Sequence, residues 1–540
     1  MPYANLAPNQ IKYQSAQNQG LKSINMVSPV GGLNFRDPLP LMAPTDAVTL
    51  DNFIAKGNGV KMRAGYAGHY TGNNKQVGTF LPYQSGNFAD HRLFASVVGE
   101  LLDITEGDAG TVTSTTIPGD NTGEWSFVNY SLQAKKFLVA VNNGAGYWVY
   151  DPESGWAKQT IAGLPNDNLT SVSEWQNRIW ITVQGYSSAF YLGIGEVLTG
   201  ATAEEFDYGP MFKHGGNAQV VANWSHDSGT GPQNYQVILS TSGDAVVYKG
   251  TDPDNMDTYT LVGTWYVGNV PKGDKFFSRV SGDLYILTDM GIISMAALTS
   301  GKNIENGVTN PIIGKVYPMI STQMSKDLYA SNWELRILPW LDIMIITAPR
   351  RSNGQYRQAV QCISTGQWST FTGVPIYCSG IFDRRHYFAD QNGIIYEGFN
   401  SDRDGEIAGT ETFASSEGTD VVGSILTAFN DFGVPTNLKR FIMVRPLFIG
   451  SNPPQIALNM VIDYQPKVLS ISADKADLGN SLWDTAIWDE AKWVSSANPY
   501  AAWVGVEGVG YTGALQMRVK GNRNMVYAGS LLSVEVGGLV

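Results

Sequence analysis

Through the middle of the chain, short apolar runs alternate with polar turns that carry glycine. The segment 124–161, EWSFVNYSLQAKKFLVAVNNGAGYWVYDPESGWAKQTI, is the clearest copy. It reads as a strand, a turn, an apolar strand, a glycine turn and an aromatic strand. Related units occupy 88–105, 171–192, 236–250, 276–295, 334–371 and 379–399. Alternation over four to eight residues, bounded by Asn-Gly, Gly-Asp or Asp-x-x-Gly, predicts antiparallel hairpins. Units of about 40 residues with three or four strands each fit propeller blades. The pattern predicts an all-β chain with an irregular β-propeller of roughly seven blades over 76–400. The stretch 193–235 breaks the rhythm and reads as an insertion.

The flanks differ from the centre. Residues 1–30 are polar, rich in Asn and Gln, and without helical periodicity, so they read as an extended N-terminal arm. Prolines exclude a long helix through 39–44, while TDAVTLDNF can form one helical turn with Thr45 as its N-cap. Residues 1–75 form a unit of arm and docking segment. From 401 to 540 the strands lengthen, as in RFIMVRPLFIG (440–450) and QIALNMVIDYQ (455–465). They predict a C-terminal β-sandwich-like domain.

Composition supports strands over helices. Of 540 residues, 59 are Gly and 11% are aromatic, while only 16% are charged. The net charge of −12 argues against a general nucleic-acid binder, which needs a cationic footprint. It does not argue against a wall that DNA slides past. Seven basic residues against three acidic ones in 1–75 make the arm basic on an acidic body. Such an arm either docks on an acidic neighbour or reflects ordinary fluctuation. Cys362 and Cys378 are the only cysteines, so there is no disulfide framework and a reducing assembly compartment is expected. The first residues have no signal-peptide pattern, and the most apolar run, 343–348, is too short to span a bilayer.

Candidate chemistry is sparse. No Asp-box, Gly-x-Ser-x-Gly, His-Glu-x-x-His or P-loop occurs, and the five histidines form no ligand spacing. Asn400, Asp402, Asp404 and Glu411, with Gly405, match positions 1, 3, 5, 12 and 6 of a calcium loop. The alternative is a polar turn leaving the last blade. Trp483, Trp488 and Trp493 form either an aromatic platform or packing against the C-terminal sheet. Arg384–Arg385–His386 and Lys439–Arg440 are small basic clusters that touch either phosphate or solvent.

The segment 28–66, SPVGGLNFRDPLPLMAPTDAVTLDNFIAKGNGVKMRAGY, resembles the N-terminal signature of the tail tubular protein B, or nozzle, family of short-tailed phages. The matching residues include Gly31, Gly32, Asn34, Arg36, Asp37, Asp46, Asp51, Asn52, Arg63 and Tyr66. The C-terminal Trp run and the closing Val-Glu-Val-Gly-Gly are similar to the family's end. The resemblance implies a non-enzymatic virion protein, assembled in the host cytoplasm. It implies a homo-oligomer, usually a hexameric ring, below a head–tail adaptor protein. That ring surrounds double-stranded DNA in transit and carries tail fibres or receptor-binding proteins. On this reading the signature is an interaction segment and no cofactor is needed, calcium aside. The competing expectation is a virion-attached glycan-binding or glycan-depolymerising propeller.

Overall fold

The computed structural model describes residues 21–539, except 73, 133–134, 166, 228–231, 256, 281, 301–313, 331–332, 350–356, 408–415, 452, 466–468, 470–497 and 522. Among these, seven antiparallel blades of three or four strands follow one another around a ring, the last two joined through sandwich strands into one larger sheet. Blade 1 is Val77–Tyr83, Arg92–Val97, Glu100–Asp103 and Thr113–Thr116. Blade 2 runs from Trp125–Leu132 to Gly155–Lys158, and blade 3 from Leu169–Trp175 to Ala203–Asp207. Blade 4 runs from Ala218–Asp227 to Thr260–Tyr266, and blade 5 holds Phe277–Val280, Asp283–Thr288 and Gly291–Ser294. Blade 6 runs from Glu334–Leu338 to Trp368–Thr372.

Blade 7 is built from both ends of the propeller. Cys378–Phe382, Arg385–Ala389 and Ile395–Ser401 supply three strands, and Gly65–Tyr70 adds the fourth by antiparallel pairing with Ile395–Ser401. The inner strands of blades 7 and 1 pack together, so the ring is closed. Each blade is covered on both faces by its neighbours. This explains why the second and third strands, such as Lys135–Asn142 and Arg178–Val183, read as nearly continuous apolar runs. Separate buried clusters fill the wedges between blades, for example Val139, Ile181 and Phe190 between blades 2 and 3.

Residues 193–235, read from the sequence as an insertion, instead supply the outer strand of blade 3 and the inner strand of blade 4. The outer strand AEEFD is largely exposed and polar, so it lacks the apolar signature of its blade. After blade 5, the helix Tyr317–Asp327 buries Ile320 and Met324 against the core.

The remaining strands form a two-sheet sandwich. One sheet contains Leu21–Val27, Val526–Leu539, Asn437–Gly450, Val504–Gly510 and the hairpin Phe53–Lys56/Gly59–Met62. The other contains Asp46–Asp51, Ser416–Thr427, Gly513–Gly521 and Gln455–Ile462. Phe441, Val444, Phe448, Leu532 and Val534 of the first meet Leu515, Met517, Val519 and Ile425 of the second in one core. The second sheet continues without a break into the propeller. Ser416–Thr427 pairs with Arg403–Ile407, which pairs in parallel with Gly65–Tyr70 at the rim of blade 7.

The helical turn expected after Thr45 is absent. Asp46–Asp51 is a strand, because Ala47, Leu50 and Asp51 find partners in Ser416–Thr427 and Val and Thr favour that pairing. A single 3-10 turn, Leu39–Leu41, lies before it.

Candidate functional site: the axial cavity and the signature joint

The inner strands start at a common level around the propeller axis. Ser126, Thr170 and Gln219 stand second in the inner strands of blades 2, 3 and 4. Asp274 and Lys275 lead into that of blade 5, and Glu334 opens that of blade 6. All of these but Glu334 line a cavity of about 360 Å³, which also reaches the exposed ring of Tyr329; Glu334 lines a small void beside it. The blade 5 pair bridges the axis. Lys275 Nζ donates to the Gly78 carbonyl of blade 1 at 2.7 Å and lies 3.5 Å from Glu334 Oε1. The Ser126 hydroxyl of blade 2 favours the charged form of the Asp274 carboxyl.

Glu334 is 1% exposed; its Oε2 accepts from Ser379 Oγ at 2.6 Å, and Arg336 lies 3.8 Å from its Oε1. Burial raises the Asp274 carboxyl above its ordinary range, opposed by Ser126, Lys275 and Arg336. The arrangement is a set of balanced charges in a pocket whose walls are otherwise mostly apolar. Sequence reasoning missed all of these residues, since charged groups at strand starts carry no distinctive spacing.

The signature segment is a joint. Arg63, 2% exposed, donates to both oxygens of Asp404 at 2.7 and 2.6 Å, to Asn52 Oδ1 at 2.8 Å and to the Thr372 carbonyl at 3.1 Å. Asn52, at φ 61°, also donates to the Val422 carbonyl and accepts from the Thr372 N–H. Asp51 accepts from Arg357 of blade 6, and the Tyr66 hydroxyl donates to the Gly373 carbonyl.

Asp46 is 1% exposed and takes a 2.5 Å bond from Lys315 Nζ and a 2.8 Å bond from Asn34. A Cβ on Gly31 would strike the Asp46 carboxylate, and Gly32 stands at φ 73° against the Trp368 carbonyl. Of the expected interaction residues, only Arg36 and Asp37 keep their pairing near the surface; Arg36 and then Asn34 hold the Asp37 carboxyl down at about 2. Most of the segment is therefore used up inside the chain.

Among the described residues, Asn400, Asp402 and Asp404 of the calcium spacing do not converge. Asp404 belongs to Arg63, Asp402 pairs with Arg523 at 3.0 Å, and the Asn400 carbonyl accepts from Arg523. Two arginines brought from distant segments hold the two carboxylates. Glu411 lies outside the described residues, as do Trp483, Trp488 and Trp493. No group of three or more metal-ligating side chains gathers among the described residues.

The basic clusters also separate. Arg384 occupies a left-handed turn position, Arg385 pairs with Glu397, and His386 is buried. Lys439 is fully buried and donates to three backbone carbonyls, those of Val434, Asn437 and Tyr511.

Fold and site together define a closed seven-bladed β-propeller with a β-sandwich welded to blades 6 and 7. Neither a family model nor a curated protein matches the chain. Among solved structures, it is similar to BBS1N in complex with ARL6DN at 8% identity, covering 64% of this chain and 99% of that one with a TM-score of 0.38. It is similar to YCF48 bound to D1 peptide at 9% identity, covering 66% and 99% with a TM-score of 0.37. The β-propeller domain of Cps50 (Swd1) from Myceliophteria thermophila is 9% identical over 62% of this chain and 99% of that one, with a TM-score of 0.37. These are likenesses of fold, and the strand pairing itself carries the assignment. No described helix is long and apolar enough to cross a membrane.

Proposed function

We propose that the chain is a non-enzymatic structural subunit of a phage tail nozzle. Six copies form a ring around the DNA exit channel, below the head–tail adaptor, and support fibre or receptor-binding-protein attachment and DNA ejection in the virion. The observation that carries this reading is the joint. The residues that resemble the nozzle signature fuse the propeller to the sandwich through a buried ion pair and a continuous sheet, as a load-bearing part requires.

The sandwich offers a contact face for the ring. Leu21, Val27, Met443, Leu447, Val509 and Leu531 are exposed on the outer side of its first sheet, among Arg440, Arg445 and Glu535. An apolar sheet face of this kind is a candidate for burial against a neighbour. Lys275 bridges the propeller axis, so the reading puts the DNA path between subunits and not through a propeller. The acidic balance of −12 limits sticking of phosphate to the channel wall.

Light scattering and electron-microscope class averages of the protein, alone and with its adaptor, test the proposal. A six-fold ring in either state is expected. A monomer that never enters a ring overturns it. The axial cavity favours a second reading, a virion-attached glycan-binding or depolymerising propeller, because Glu124 and Asp274 line one pocket beside Glu334. Turnover of capsular polysaccharide that one carboxylate-to-amide change abolishes would establish the depolymerase.

A further inference from the structure

We propose that the axial cavity is a binding site for one or two neutral sugar rings. Its volume of about 360 Å³ lies in the range of small-ligand clefts. Its charges balance: Glu124 and Asp274 stand against Lys272 and Lys275. An ionic ligand would gain no net attraction there and would lose its hydration. A neutral ligand loses less.

The walls are mostly apolar with polar groups set among them, a mixture that suits the C–H and O–H faces of a sugar ring. Thr122, Asn143, Thr170, Gln184, Asn217 and Thr241 bring hydroxyl and amide groups from blades 2 to 4. These are donors and acceptors of the kind that sort hydroxyl groups by position. Tyr329 stands at the mouth, 80% exposed, and offers an aromatic face to the C–H side of a sugar ring. Beside the cavity, a small void is lined by Thr122, Glu124, Lys275 and Glu334. Glu334 Oε1 is buried there and accepts no hydrogen bond among the described residues. A hydroxyl of the ligand reaching this void would supply one, as buried acceptors require.

The cavity and the sandwich face share no residue, so sugar binding and ring assembly succeed or fail separately. Saturation-transfer NMR on the full chain tests the proposal, with maltotriose, cellotriose and chitotriose as neutral probes and sialyllactose as the anionic contrast. At least one neutral trisaccharide is expected to bind. Tyr329→Ala, which removes an exposed ring, and Asn217→Trp, which fills the cavity from a loop, are each expected to weaken it at least tenfold without moving the melting temperature. Asp274→Asn is expected to weaken it as well. No transfer to any neutral trisaccharide at millimolar concentration overturns the proposal. So does transfer that survives both Tyr329→Ala and Asn217→Trp, or binding of sialyllactose in preference to every neutral probe.

Discussion

Arg63 holds three distant segments at one point. Its guanidinium meets Asn52, the Asp404 carboxylate and the Thr372 carbonyl, and it lies 5.7 Å from the centre of the Phe371 ring. Removing one partner of a buried pair leaves the other charge without compensation, at a cost of about 3–5 kcal/mol. Arg63→Ala and Asp404→Asn are each expected to lose that much in urea unfolding. The double variant should lose much less than the sum, because the two share one interaction. Additive losses would mean that the pair is not coupled.

His386 works in the opposite sense. Burial, and then the Arg336 guanidinium, push its imidazole down to about 3, while Phe388, Phe399 and Gly398 enclose the ring. The unfolded chain binds this proton near pH 6.5, and the folded one does not. Its contribution to stability is complete above pH 6.5 and is lost as pH falls toward 3. The limiting slope is about 1.4 kcal/mol per pH unit. Denaturant titrations of His386→Asn between pH 6 and pH 4 should show that slope reduced. An unchanged slope would assign the acid limb to other groups.

At the level of elements, ring closure depends on the strand Gly65–Tyr70. It pairs with Ile395–Ser401 on one side and with Arg403–Ile407 on the other. Ala67 faces Glu397 across one ladder and Glu406 across the other, so a proline there removes a donor from a strand with two neighbours. Ala67→Pro is expected to destabilise the whole propeller by about 1–3 kcal/mol, the cost of leaving a buried ladder acceptor unsatisfied, read as a drop in the urea midpoint. A loss confined to the sandwich would show that the ring closes without it. Gly65 is fixed by the same geometry, since a Cβ there would collide with the backbone of Arg403. Not every turn uses glycine. Gln176 and Asn177, and again Asp383 and Arg384, take positive φ in two-residue hairpins that sequence alone would assign to Asn-Gly.

Across the whole molecule, what was legible in the sequence is what neighbours in the chain decide. The hairpins of blade 2 announce themselves because FLVAV and YWVY are each covered on both faces and separated by Asn and Gly. The strand that closes blade 7 lies in the docking segment, ahead of the first blade, and its place in the last blade could not be read there. Nothing near Gly65–Tyr70 signals a partner at Ile395–Ser401. The calcium spacing was present in the letters, but Arg63 and Arg523 arrive from elsewhere and take its carboxylates. The axial site could not be read at all, because Asp274, Lys275 and Glu334 meet only where three blades and the ring axis converge.

The pairing of Leu21–Val27 with Val526–Leu539 also sets a timetable. Ser28 donates to the carbonyl of Tyr527, 499 residues further along. A ribosome adding about 5–20 residues per second takes roughly 25–100 s to cover that distance. Through that interval the N-terminal strand has no partner strand, and the sandwich half of the core stays open. Synthesis in the cell therefore leaves an unpaired edge waiting longer than most domains take to fold, and that is the stage at which a chaperone has something to hold.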